Sequence, residues 1–99
     1  MNPQQMQQAL RQAQQMQERI KREAMALRTE GTAGGGMVTA TVDGEKQLLA
    51  IKIDPEAVSK EDVDVLQDSI VAAVNDANRK ADEAMKQKTA SFLPPGLRF

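Results

Sequence analysis

From Pro3 to Leu27 the apolar side chains recur on one narrow seam. Met6, Ala13, Ile20 and Leu27 fall every seven residues, with Leu10 and Ala24 beside them. That period predicts a helix over about residues 3–27, opened by Pro3 at a first-turn position and capped by Asn2. The remainder of its surface is mostly glutamine, eight of them between Gln4 and Gln17. Such a rod, roughly 35 to 40 Å long at 1.5 Å per residue, buries too little by itself and needs another helix against its seam.

Gly31 and then Gly34, Gly35 and Gly36 end the helical pattern, and the period changes to two. Val38, Ala40 and Val42 alternate with Met37, Thr39 and Thr41, and Leu49, Ile51 and Ile53 alternate with Leu48, Ala50 and Lys52. Between them Asp43-Gly44 predicts a two-residue type I′ turn. A lone hairpin is not stable in water, so its apolar face requires a cover. Asp54-Pro55 closes the second strand and opens a short turn to Val58. Ser59, with Asp62 three residues on, resembles a capping box at the start of a helix over about residues 60–89. Its inward stripe reads Val63, Leu66, Ile70, Val74, Ala77, Ala81 and Ala84 or Met85. The shrinkage from Leu and Ile to Ala predicts a C-terminal half that packs weakly or crosses another helix closely. Residues 1–91 thus read as one α+β domain, and residues 92–99, with Pro94-Pro95-Gly96, as an extended tail.

Composition sharpens this. Of 99 residues, 14 are Ala and 6 are Met, and the only aromatics are Phe92 and Phe99. A core this light in a chain this short is marginal as a monomer, which predicts an oligomer. With no Cys and no His, thiolate and imidazole metal sites, disulfides and Ser/His or Cys/His nucleophile pairs are excluded, and no enzyme activity or cofactor is expected. The acids Glu61, Asp62, Asp64 and Asp68 suit a helix N-terminus better than a metal. Gly34–Gly36 lack the following Lys-Ser or Lys-Thr and the helix of a phosphate cradle. The first thirty residues contain no apolar run of signal-peptide or membrane-span type, and together with the absent cysteines this points to the cytoplasm.

The net charge of −1 conceals a strong segregation. Residues 1–30 hold five basic against three acidic side chains, residues 31–68 three against eight, and residues 69–99 five against three. Both ends are basic around an acidic middle, so an anionic partner would approach the helices. At about 100° per residue, Arg11 and Arg22 fall about 20° apart and nearly opposite the apolar seam, while Lys21 and Arg28 flank it. On the second helix Arg79 and Lys86 share an outward line. The pairs Glu18/Arg22, Asp76/Lys80 and Asp82/Lys86, spaced by four, also read as ordinary helix-surface ion pairs.

Taken together, the Gln12–Gln17 opening, Gly34-Gly35-Gly36, Ile51-Lys52-Ile53-Asp54-Pro55, Val71–Ala77 with its Asn75-Asp76 centre, and Leu93-Pro94-Pro95-Gly96 resemble the YbaB/EbfC family of bacterial nucleoid-associated proteins across nearly the whole chain. The resemblance implies an α-β-β-β-α order, with a third short strand near Arg28 to Ala33 that the periodicity does not reveal. It implies a tweezer-like homodimer whose helices project as arms from a shared sheet, located in the cytoplasm and nucleoid and binding double-stranded DNA with little sequence demand. The DNA-binding residues expected on this basis are Arg11, Arg19, Lys21, Arg22, Arg79, Lys80, Lys86 and Lys88. The dimer and core residues are Val38, Val42, Leu49, Ile51, Ile53, Leu66, Ile70 and Val74. Neither a membrane nor a small-molecule substrate is expected. The alternative reading is a prefoldin-like interaction scaffold or holdase without DNA binding, since two amphipathic helices around a hairpin also build that plan.

Overall fold

A computed structural model describes residues 2–92. The order is α1 (Pro3–Ala26), β1 (Thr29–Ala33), β2 (Val38–Val42), β3 (Leu48–Ile53), a 3-10 turn (Pro55–Ala57) and α2 (Val63–Phe92). The strands form one antiparallel sheet in the order β1-β2-β3. This is the α-β-β-β-α arrangement that the family resemblance implied, including its third strand.

Both ends of α1 follow from local chemistry. The Asn2 side chain accepts from the Gln5 amide at 2.8 Å while the Gln5 side chain accepts from the Asn2 amide at 3.2 Å, a complete capping box. At the far end the Arg28 guanidinium donates to the carbonyls of Met25 and Leu27, which would otherwise be orphaned.

The core is the contact of α2 with one face of the sheet. Val38, Ala40 and Val42 of β2 alternate inward and are fully buried against Ala73, Ala77 and Ala81 of α2. Ile51, Leu66, Ile70 and Val74 pack around that centre half-buried. The alanines therefore do the opposite of weak packing: they are the most buried stretch of α2, because a small side chain lets the helix axis come down onto the strands. Gly31 completes the fit. A Cβ there would collide with the backbone of Ala73 and Ala77, so only glycine fits at this point of β1. The same glycine hides β1 from any search for alternating apolar residues. Val63, by contrast, is 46 % exposed and Val65 63 %, so the apolar stripe begins at Leu66.

α2 also closes the outer edge of β1. The Thr32 amide donates to Asp76 Oδ2 at 3.1 Å, and Lys80 Nζ donates to the Glu30 carbonyl at 3.1 Å. Thr29 Oγ1 reaches the Ala77 carbonyl at 3.0 Å. Edge groups that would otherwise await another strand are thereby satisfied by side chains. β3 has no such cover among the described residues, and Leu48 and Leu49 on it are 49 % and 44 % exposed.

The β2–β3 connection is not the tight type I′ turn that Asp43-Gly44 suggested. It runs from Asp43 to Gln47, with Lys46 at φ 65° and the buried Asp43 carboxylate accepting from the amides of Glu45 and Gln47. Gly44 is required for another reason. Its amide donates to the Ala24 carbonyl at 2.7 Å, and a Cβ would meet the Ala24 backbone and the Met85 sulfur. The longer loop docks onto α1, and its cost in register is a bulge between Thr41 and Val42 that sets Leu48 opposite Val42. Leu49 therefore leaves the inward row that simple alternation assigned to it, whereas Ile51 and Ile53 stay opposite Ala40 and Val38.

α2 starts at Val63, three residues later than expected, after a turn in which Ser59 Oγ accepts from the Asp62 amide at 3.2 Å. It continues past Thr89 to Phe92. Phe92, expected to open an extended tail over residues 92–99, is instead the last described residue of the helix, and residues 93–99 lie outside the described residues.

Two expected outcomes follow from the seat of α2. Gly31→Ala forces helix and strand apart and lowers stability by about 2 to 3 kcal/mol, read as a fall in the urea midpoint. The Asp76 carboxyl is held below the ordinary aspartate range, first by the Thr32 amide and then by Lys80 and Arg79. Its contribution to stability is thus fully present above the unfolded aspartate value and disappears as pH falls through the lower folded value. Asp76→Asn should be less stable than the parent chain at pH 7, and the deficit should vanish in acid below the ordinary aspartate range; a deficit constant across that range would refute the assignment.

Candidate nucleic-acid interface

The two helices leave the sheet at the same end and run antiparallel. Contact between them is confined to the C-terminal part of each: Ala24 lies beside Gly44 and Met85, Glu23 Oε2 is 3.0 Å from Lys88 Nζ, and the Arg19 guanidinium stands 4.4 Å from the centre of the Phe92 ring. Beyond Arg19 towards its N-terminus α1 is unaccompanied among the described residues, with Met6 53 % and Leu10 62 % exposed. The molecule measures 69 × 21 × 16 Å, so an arm projects from a small body.

On that arm Arg11, Arg19, Lys21 and Arg22 are all exposed and none is in an ion pair with a described residue. Arg11 and Arg22 point away from the side that meets α2. Along α1, Arg19 and Arg22 stand among Gln12, Gln15, Met16 and Glu18. Guanidinium groups beside glutamine amides form a donor-rich surface, the chemistry that phosphate oxygens accept from.

The basic residues of α2 are placed differently. Arg79 Nη2 is 2.9 Å and Lys80 Nζ 3.1 Å from the two oxygens of Asp76, Lys80 also holds the Glu30 carbonyl, and Lys88 holds Glu23. Only Lys86, on the outward face with Arg79, is without an ion pair among the described residues. Of the three pairs spaced by four, Asp76/Lys80 forms. Glu18/Arg22 and Asp82/Lys86 do not, and Asp82 instead lies 3.4 Å from Lys46 of the β2–β3 loop. Lys80 and Lys88 are thus parts of the scaffold, holding β1 and α1 to α2. Sequence spacing missed this because their partners, Glu30 and Glu23, lie far away along the chain. Asp43 and Gly44, which aim the arm, escaped for a similar reason, since an Asp-Gly pair reads as a turn before it reads as a dock.

The acidic residues collect at the other end. Glu56, Glu61, Asp62, Asp64 and Asp68 surround the 3-10 turn and the start of α2, and none is in an ion pair with a described residue. Asn75 is exposed, whereas the Asn78 side-chain oxygen is buried without a hydrogen-bond partner among the described residues. No described helix is long and apolar enough to cross a membrane.

Known proteins agree with this geometry. The family model for the YbaB/EbfC DNA-binding family matches residues 1–97. A nucleoid-associated protein of Caldanaerobacter subterraneus subsp. tengcongensis is 50 % identical over 95 residues, covering 89 % of this chain and 86 % of that relative. Another from Acidobacterium capsulatum is 42 % identical over 107 aligned positions, covering 98 % and 99 %. The crystal structure of an uncharacterized protein from Helicobacter pylori superposes with a TM-score of 0.79 over 95 % of this chain and 99 % of that one, at 22 % identity, and so shares the fold. The matching model and these relatives describe a nucleoid-associated DNA-binding family and not a family of enzymes: the chain belongs to the YbaB/EbfC DNA-binding family.

Proposed function

We propose that the protein binds double-stranded DNA in the nucleoid as a homodimer, with little sequence preference, and through this binding influences nucleoid organisation and gene expression. The observation that carries the reading is the division of labour among the basic residues. Arg11, Arg19, Lys21 and Arg22 project from the arm without carboxylate partners among the described residues, and Lys86 joins them from α2. Arg79 is 74 % exposed and bound to Asp76 by a surface pair, so it remains within the set at a modest cost. Lys80 and Lys88 contribute charge while they hold the fold. Binding proceeds by release of counterions from phosphates rather than by reading base edges, because the donors are long, dispersed side chains on an exposed helix. Acidic groups at the opposite end repel the duplex and confine it to the arms.

The dimer is favoured by what one chain leaves uncovered. β1 has its outer edge closed by α2, whereas β3 presents an open edge with Leu48 and Leu49 exposed, a combination that invites pairing with a second copy. Two bodies joined there carry arms on both sides, giving DNA two basic helices per dimer. The prefoldin-like alternative requires longer helices with apolar tips, and α1 begins in polar glutamines, Gln4, Gln5, Gln7 and Gln8.

Two measurements test this. With about four to six phosphates neutralised per dimer, log K on random duplex should fall with log salt at a slope of roughly −3.5 to −5.5, and Arg22→Ala, which removes two cations per dimer, should flatten it by about 2. A flat salt response would sink the DNA reading. Leu49→Lys, at an exposed position of β3, should convert the dimer to a folded monomer in sedimentation and weaken DNA binding; an unchanged dimer would place the contact elsewhere.

A further inference from the structure

At the end of the sheet away from the arms, a cleft of about 290 Å³ opens between the β1–β2 turn, the 3-10 turn and the start of α2. Met37, Ala57, Val65 and Leu66 give it an apolar lining, and the carboxylates of Glu56 and Asp62 stand on it. Val65 is 63 % exposed, and Val58 and Val63 next to the cleft are 59 % and 46 % exposed. An apolar floor with an acidic rim fits an extended peptide that alternates large apolar side chains with a cation.

The chain contains one such stretch. Residues 93–99 read Leu-Pro-Pro-Gly-Leu-Arg-Phe. In an extended path Leu97 and Phe99 fall on one side and Arg98 on the other, and Pro94-Pro95 restrict the backbone beforehand, which reduces the entropy lost on docking. The segment cannot reach the cleft of its own chain. Leu66 and Phe92 are separated along α2 by roughly 39 Å at 1.5 Å per residue, and seven residues span at most about 25 Å.

We propose that residues 93–99 of one copy dock in this cleft of another copy, Leu97 and Phe99 against Val65 and Leu66 and Arg98 against Glu56 and Asp62. The contact proposed is one between dimers. A tail-to-cleft contact is heterologous, so repeated from dimer to dimer it generates an open series where the rotation does not close. Its role, to extend a coat of protein along DNA, rests on the DNA-binding reading; the contact itself does not.

The test uses full-length protein carrying Arg98→Glu as receiver, so that its own tails do not compete, and a fluorescent peptide of residues 93–99 as probe. Anisotropy should rise to saturation, and the affinity should fall roughly tenfold on a receiver that carries Glu56→Lys in place of Arg98→Glu, through like-charge opposition to Arg98. A peptide with Arg98→Glu should recover binding to that Glu56→Lys receiver. Val65→Lys, at an exposed position of the lining, should weaken binding independently. In sedimentation, species larger than the dimer formed by the parent chain should be absent from the Arg98→Glu chain, which should still bind a short duplex that holds a single dimer. Lack of peptide binding, binding indifferent to both cleft substitutions, or unchanged assembly of the Arg98→Glu chain would each overturn the proposal. Loss of duplex binding with peptide docking intact would instead count against the DNA reading alone.

Discussion

Everything in this protein hangs from the close seat of α2 on the sheet. A three-stranded sheet this small has no stability without a cover, and its cover among the described residues is a helix whose inward residues are Ala73, Ala77 and Ala81. Alanines bury little area each. They compensate by allowing the helix backbone down onto β1 and β2, where Gly31 leaves space and where Val38 and Val42 are wholly removed from water. The same proximity lets Asp76 and Lys80 reach the outer edge of β1, so a packing solution also becomes a hydrogen-bonding one.

The arm is a consequence of that seat. Because α2 is longer than the sheet it covers, its last turns run past the body and offer α1 a surface there. The β2–β3 loop then fixes the approach: Gly44 donates to the end of α1, and Lys46 ties the loop to Asp82. Rigidity is concentrated at this junction, with Glu23–Lys88 and Arg19–Phe92 just beyond it. The outer part of α1 gains no such support from the described chain, so its helix depends on the Asn2–Gln5 capping box at its tip, on intrinsic propensity and on whatever it binds.

Charge follows the same division. Lys46, Lys80 and Lys88 are drawn into contacts that hold elements together, and Arg11, Lys21 and Arg22 on the arm stay available. One chain thereby separates Lys80 and Lys88, whose ammonium groups do structural duty, from Arg11 and Arg22, whose guanidinium groups face solvent. With the carboxylates clustered at the far end of the body, the molecule has an electrostatic direction that its net charge conceals.

Sequence by itself determined the elements. The seven-residue seam, the Asn2 cap, the alternation of Val38, Ala40 and Val42, and the Asp54-Pro55 stop are local signals that survive whatever the chain packs against. The segregation of charge and the order of motifs were likewise legible, and with them the family. What only tertiary structure decided were relations between residues distant along the chain. β1 is invisible to periodicity because its key residue is a glycine chosen for the backbone of α2. Leu49 leaves its predicted row because the loop that docks on α1 forces a bulge. The fate of each basic side chain, scaffold or free donor, depends on whether an acid from another element comes within reach. Spacing within one helix carries the near pairs such as Asp76/Lys80, but the distant ones exist only once the sheet has brought α1, β1 and α2 together.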